Sequence, residues 1–493
     1  MMRFSLPRFG ERLRGSVALL GLTAVLAGVI ILYSPTLDDP FHGDDYVAFT
    51  EFKSKSILTY SEDVLLFQDS NYYWRPLGKI FHRVLYEVAG LDALVFRLTA
   101  LGVFLATLVA LYAFCVRERL GTPVALASVF ILGVLPNHVV SVAWVTNTSR
   151  LMAVLFFLLC LLLLQRPGRH RLLYEAAAVL CFVAAVLSDE TALALAPVPV
   201  LYAGLVADKQ IRWRSLLARG LAYGFLVAVL IPMQFSNTLD DEARLSVYGL
   251  GTHVVTQGWA LVSQLVLPLT PPEPWEVMLD SIRPLQWGAG LAAIAAGALL
   301  FAVGSARMRW LLLWTALSLS PFCLWGVLYT SPRYVYMAAV PYSVILAWLS
   351  VELFGVLRRV AAERVSTALL VPLSRVAVAG AAGLVLLPSA SMLMSRNDLW
   401  SQHTEDWGTL AMELRREAPE PASGSRIVLF YGTWSDTWAR AAVWTIYGDH
   451  SLTVQVIPPY RLDVEYGPFT EKDFVFYKVG DQLLPSTVYG ARR

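Results

Sequence analysis

The side chains able to do chemistry are few, and most fall in short segments between long apolar runs. The stretch LDDPFHGDDYVAF carries two acidic pairs. Asp38 and Asp39 precede Pro40, an arrangement that reads as a turn. Asp44 and Asp45 follow the first apolar run closely and stand between Phe41 and Tyr46, where the chain should still lie against apolar surface. Adjacent carboxylates there repel one another, and desolvation opposes their ionisation. A solvated loop pair is the bland reading; general-base work is the one that uses both features. Further along, NYYWRPLGKIFHRVLY places Arg75 after three aromatics and before Pro76, which opens an amphipathic helix through Leu77, Ile80, Phe81, Val84 and Leu85. Such an arginine can grip a phosphate bidentately or serve as an interfacial anchor.

Four more places carry polar groups beside apolar runs. His138 lies in LPNHVVSVAW, read as a short turn, and Arg150 in the run that follows. A charge inside a span costs at least about 2.5–3.5 kcal/mol, so Arg150 should face protein or a polar cavity. Ser188, Asp189 and Glu190 fill the hinge between two runs, with Ser188 as a helix N-cap for the second. Arg333 and Tyr334, in YTSPRYVY, open another run, and an arginine at that depth suits a phosphate.

The elements that must position these groups follow from composition. Of 493 residues 57% are hydrophobic and 15% charged, with a mean hydropathy of +0.57. Soluble chains carry about 25% charged residues, so the excess of apolar side chains must face lipid. That excludes a cytosolic enzyme and a disulfide scaffold; a net charge of +2 gives no sign of a nucleic-acid partner. The cysteines Cys115, Cys160, Cys181 and Cys323 sit in apolar runs as small hydrophobes. Eleven runs approach the length of a spanning helix: 15–34, 93–115, 122–136, 143–164, 172–187, 190–206, 216–234, 285–304, 310–328, 334–356 and 376–394. With the N-terminus inside, the short inner segments hold 19 Lys and Arg in 65 residues, against 8 in the longer outer segments. This orients the chain with its C-terminal part outside. The fold class expected is an α-helical polytopic membrane protein with a small C-terminal α/β module. Residues 1–394 form the membrane part, with outer loops 35–92 and 235–284; 395–493 form the module. In the module RIVLFYG and LTVQVI read as strands, WARAAVWTIYG as a helix, and DFVFYKVGDQLLPS as a hairpin.

This topology puts Asp44/Asp45, Arg75, His138, Asp189/Glu190 and Arg333 at one membrane face. A base beside cations suits transfer of a sugar from a polyprenyl phosphate, whose leaving group needs positive charge and no strong acid. The expected partners are that lipid-linked donor, membrane lipids, and an acceptor hydroxyl on a protein, glycan or lipid. No metal-ligand spacing stands out, so a divalent ion has no support. An O-antigen ligase or polymerase-like enzyme is the alternative within the same chemistry, disfavoured by the acid pair after the first span. A lipid-linked-substrate flippase is the alternative outside it, disfavoured by the absence of two similar halves.

The motifs FHGDDY, YYWRPL, SDETALAL, SPRYVYMAAVPY and SRNDLWSQHTEDW, in this order, resemble the GT-C superfamily of integral-membrane glycosyltransferases, over about residues 15–410. The likeness is nearest to the protein O-mannosyltransferase-like branch that includes the membrane part of the tetratricopeptide-repeat O-mannosyltransferases. The resemblance implies a polyprenyl-phosphate-sugar donor and an inverting transfer on the outer or lumenal face; with no retention signal in the sequence, the plasma membrane is the simpler location. The resemblance gives the base role to Asp44, with Asp45 beside it. Three departures stand out. Val140 replaces the acid of the Pro-x-His-x-Glu stretch, Arg150 is a displaced equivalent of the arginine that follows it, and Asp189 replaces a lysine in the hinge. The α/β module stands where repeats would follow.

Overall fold

The computed structural model describes residues 9–68, 74–166, 170–206, 213–235, 249–267, 277–278, 282–326, 329–364, 367–430, 436–457, 473–479 and 482–485. Among them, seven helices are long and apolar enough to cross a membrane, and an eighth is gained if a bent pair counts as one span. Helices α1 (Phe9–Tyr33), α5 (Ala93–Arg117), α8 (Thr148–Leu164), α9 (Arg171–Ser188), α11 (Trp213–Phe235), α13 (Pro284–Val303) and α15 (Tyr336–Arg364) contain these spans. Two expected runs are broken. The pair α6 (Thr122–Val134) and Pro136–Ala143 bends by 53°, because Pro136 cannot supply the N–H that a continuing helix needs. The segment beyond the bend is no exposed turn: α7 (Val139–Ala143) is buried throughout. Run 190–206 is a 3₁₀ turn, Glu190–Leu195, followed by the short α10 (Pro197–Leu205), the change falling at Pro197.

The described residues of segment 35–92 include α2 (Gly43–Phe49), α3 (Ile57–Leu65) and α4 (Pro76–Ala89). Helix α4 begins at Pro76, as its sequence demands, and of its apolar stripe Leu77, Ile80, Phe81 and Leu85 are half-buried. Gly78, His82 and Arg83 are buried, whereas Val84 and Val88 are exposed. A Cβ on Gly78 would lie 2.5 Å from the Ser149 Cβ, so only glycine allows α4 to pack this closely on α8. In the second outer loop, α12 (Thr252–Val266) packs into the protein through Gln257, Leu261 and Gln264. Residues 236–248, 268–276 and 279–281 of that loop lie outside the described residues.

Helix α14 (Ala306–Cys323) precedes α15, and α16 (Thr367–Glu417) runs unbroken from the membrane part through residue 394 into the module. There β3 (Arg426–Phe430) lies between parallel neighbours β4 (Thr453–Ile457) and β5 (Asp473–Val479), and β6 (Gln482–Pro485) pairs antiparallel to β5. Helix α17 (Asp436–Tyr447) connects β3 to β4. Its end is set by Gly448, whose φ of +71° few other residues adopt. One core joins module and loop: Phe41, Tyr46, Phe49, Phe52 and Tyr60 pack with Trp407, Leu410, Ile427, Ala442 and Phe476. Phe41 meets Phe49 and Phe96 edge-on at 5.2 and 5.5 Å. At about 1.5–3 kcal/mol for each large side chain buried, this is a substantial interface.

Candidate functional site

The acid pair divides into two residues with different employment. Asp45 is fully buried; its carboxylate accepts the N–H of His42 and the N–H of Thr146, each at 2.9 Å. It closes a capping box on α2 and ties that helix to residues 145–147. Burial raises its pKa to about 6, against the lowering effect of these two N–H groups and of Arg97. Asp44, one residue on, faces Arg333 and the Trp438 indole, both of which favour its ionised form. Burial raises its pKa above the ordinary carboxylate range, while Arg333 and Trp438 pull the other way. Asp39 is also more than a turn residue: it is buried, with Arg97 beside it.

Three residues passed over in the sequence build the platform beneath Asp44. Arg97, in the first turn of α5, donates to the backbone carbonyls of Asp39 (2.9 Å), Pro40 and Ala143. A lone arginine near the start of a span was the signal available. The Nδ1 of His42 accepts the Asp44 N–H at 3.2 Å, and its Nε2 meets Nε2 of His403 at 3.0 Å. Burial lowers both pKa values, that of His42 strongly and that of His403 to about 4. The pair is therefore neutral. With Nδ1 of His42 accepting, its proton sits on Nε2 and is donated to His403. Around His42 stand Trp144, Trp400, Trp407 and Trp438, with ring centroids 4.5–6.5 Å away.

The arginines are not equivalent. Arg75 makes a bidentate pair with Glu190, at 2.5 and 2.6 Å, and lies 3.7 Å from Asp189. Arg150 pairs with Asp189 at 3.1 Å, donates to the Arg333 carbonyl, and lies over Phe322 and Tyr334. Asp189, buried, also accepts from the N–H and hydroxyl of Thr191. Burial would raise its pKa, but Arg150 and Arg75 hold it below the usual carboxylate range. Ser188 is not the N-cap: α9 runs through it and its hydroxyl donates back to the Ala184 carbonyl, so Asp189 caps the next turn. Arg333, by contrast, is in no ion pair among the described residues, and its buried Nε has no hydrogen-bond partner. Its guanidinium lies over Trp144, 4.5 Å from the ring centroid, and acts on Asp44 through space. Tyr334 stacks on Phe322 at 4.5 Å.

The structure thus brings Asp44, Asp45, Arg75, Arg150, Asp189, Glu190, Arg333 and Tyr334 into one neighbourhood. His138 lies in the turn Pro136–His138, which packs against the turn Pro332–Val335 that carries Arg333 and Tyr334. Its ring is buried between Phe104 and Tyr336, with neither nitrogen hydrogen-bonded. No three His, Cys, Asp or Glu side chains gather as a metal site among the described residues.

No family model matches the sequence, and no curated protein matches it. Among solved structures, the chain is similar to the archaeal oligosaccharyltransferase AglB from Archaeoglobus fulgidus in complex with an inhibitory peptide and a dolichol-phosphate. The TM-score is 0.53 at 13% identity, covering 88% of this chain and 64% of that one. The apo form of the Archaeoglobus fulgidus oligosaccharyltransferase gives a TM-score of 0.53 at 12% identity, covering 90% and 65%. ArnT from Cupriavidus metallidurans bound to undecaprenyl phosphate gives 0.48 at 14%, covering 92% of each chain. The chain spans 64–65% of the length of the two oligosaccharyltransferase chains. At such identities the oligosaccharyltransferase likeness establishes a shared fold.

Proposed function

We propose that this protein is a glycosyltransferase that moves a sugar from a polyprenyl-phosphate donor to an acceptor hydroxyl, with inversion. The observation that carries this reading is the buried Asp44 carboxylate facing Arg333, an arginine in no ion pair among the described residues. Asp44 takes the proton of the acceptor hydroxyl as its oxygen bonds to the anomeric carbon. The carbon–phosphate-oxygen bond breaks on the opposite face, and Arg333 meets the charge that develops on the leaving phosphate. Arg75 and Arg150 belong to the frame of this site. Their charge is taken up by Glu190 and Asp189, which align them behind Arg333. Tyr334 borders the arginines, and His138 supports the bent segment from below.

The dolichol-phosphate bound by AglB supports a polyprenyl donor. The positive charge concentrated in the inner segments supports an inside N-terminus, with site and module on the outer face of a plasma membrane. The narrower kinship with the O-mannosyltransferase-like branch, and mannose as the sugar, rest on FHGDDY, YYWRPL and SDETALAL. The acceptor is a hydroxyl on a protein, a glycan or a lipid. The test is transfer from radiolabelled polyprenyl-phosphate sugars by the purified protein and by Asp44→Asn. Loss of transfer in the variant is expected; undiminished transfer would falsify the base assignment.

A further inference from the structure

The C-terminal module reaches the acid pair through one face of α17. The Thr445 hydroxyl donates to the Tyr46 carbonyl at 3.0 Å. Lys53 crosses in the other direction to the last carbonyls of α17, Ile446 (3.3 Å) and Tyr447 (2.9 Å), and His450 meets the Thr50 carbonyl at 3.2 Å. These bonds fix α17 against α2. At the front of that interface stands Trp438, half-buried, its ring 5.3 Å from His42 and 6.1 Å from Trp407. Gly43 makes room for it: a Cβ there would lie 3.1 Å from Trp438 and 2.7 Å from Trp407. Trp438 thus lies against the residue next to Asp44, and its indole favours the ionised Asp44 carboxylate.

We propose that Trp438 is a positioning residue for Asp44: its indole N–H occupies one lone pair of the carboxylate and turns another toward the acceptor. The module is then part of the catalytic unit, and the placement of α17 sets the aim of the base. The inference rests on the base role of Asp44. A carboxylate has about four acceptor sites, so one donated N–H orients it without consuming it. The other charged and titratable groups beside Asp44 are Arg333, Asp45 on its own helix, and the neutral His42–His403 pair. None of these supplies the same hydrogen bond.

Trp438→Phe retains the ring and removes the donor. Expected is a fall in kcat of about tenfold, the scale of one hydrogen bond to a charged group, with KM for the lipid donor unchanged. The acid limb of the pH–rate profile should move up by about one pH unit, since a contact favouring the ionised form is gone. Trp438→His, which restores a ring N–H, should recover part of both. An unchanged acid limb and kcat in Trp438→Phe overturns the proposal. The native tryptophan can be read as well. In ¹⁵N-indole-labelled protein one N–H resonance should shift as pH crosses the acid limb and stay fixed in Asp44→Asn; a set with no such resonance overturns the proposal too. An active Asp44→Asn overturns the base reading and this inference with it. An inert Asp44→Asn beside an indifferent Trp438→Phe overturns this inference alone.

Discussion

The two ends of helix α5 carry buried charge of opposite fate. At the far end Glu118, 6% exposed, accepts from Gln165 at 2.7 Å, from the Tyr202 hydroxyl, and from Arg307 at 3.3 Å. Three donors from three other segments saturate it. At the near end, roughly 30 Å away at 1.5 Å per residue, Arg97 braces the loop beneath Asp44. There Arg333 faces Asp44 and is in no ion pair among the described residues. Both ends bury ionised groups in a chain that is mostly grease, at a desolvation cost. The Glu118 cluster recovers that cost within the protein and so reads as a clamp between helices. The Asp44–Arg333 cluster recovers it incompletely, which is what a site awaiting an anionic ligand requires.

This contrast can be broken by experiment. Asp44→Asn should lower transfer by about 10²–10⁴-fold, the usual contribution of a general base, whereas Glu118→Gln should leave the rate within about twofold. A large rate loss in Glu118→Gln without unfolding would erase the distinction between the two ends. Next in size, Arg333→Gln should weaken use of the phosphate donor about a hundredfold, with Arg333→Lys recovering only part, because a point charge does not reproduce the planar fork. Equal donor saturation curves for all three proteins would remove Arg333 from the phosphate.

Within the near end, the saturated arginines should behave like Glu118. Asp189→Asn leaves Arg150 buried without its acid and should destabilise the protein by about 3–5 kcal/mol. The double variant Asp189→Asn/Arg150→Gln should regain a large part of that. Additive losses in thermal or denaturant unfolding would show that the pair is not coupled. The smallest effect concerns pH. The Asp44 carboxyl is raised by burial above its ordinary 3.8, and a base acts when ionised. Activity should therefore be low in acid, climb as pH rises through a midpoint above 3.8, and then level off. Arg333 lowers that midpoint, so Arg333→Gln should move it upward; a downward move would contradict the geometry.

How far the sequence reveals this depends on the range of each interaction. The strands RIVLFYG and LTVQVI, and the helix between them, are visible because alternation and turn residues are local signals. The apolar runs are equally local, yet two mislead. Hydropathy does not register that Pro136 and Pro197 lack the N–H which continues a helix, so 122–136 with its successor, and 190–206, look more regular than they are. The acid pair is plain in the sequence, but its division of labour is not. Thr146, which engages Asp45, lies 101 residues away, and the Glu190 that neutralises Arg75 lies 115 residues away. Arg75 and Arg150 look like unpaired cations until their acids are seen. Trp438 looks like one more aromatic on an amphipathic helix, because nothing local points to a partner nearly four hundred residues earlier.

That separation bears on how the protein is made. His42 leaves the ribosome 361 residues before His403, and Tyr46 399 residues before Thr445. At a synthesis rate of about 5–20 residues per second, the acid-bearing loop waits roughly 20–80 s for the segments that bury it. Until α16 and α17 arrive, α2 lacks the His403, Trp407 and Trp438 contacts that hold its cap and its carboxylate. A nascent or truncated chain therefore carries every acid and arginine of the site with its base unaimed. The late assembly of loop and module acts as a safety catch, released only when α16 and α17 have been made and have folded against the loop.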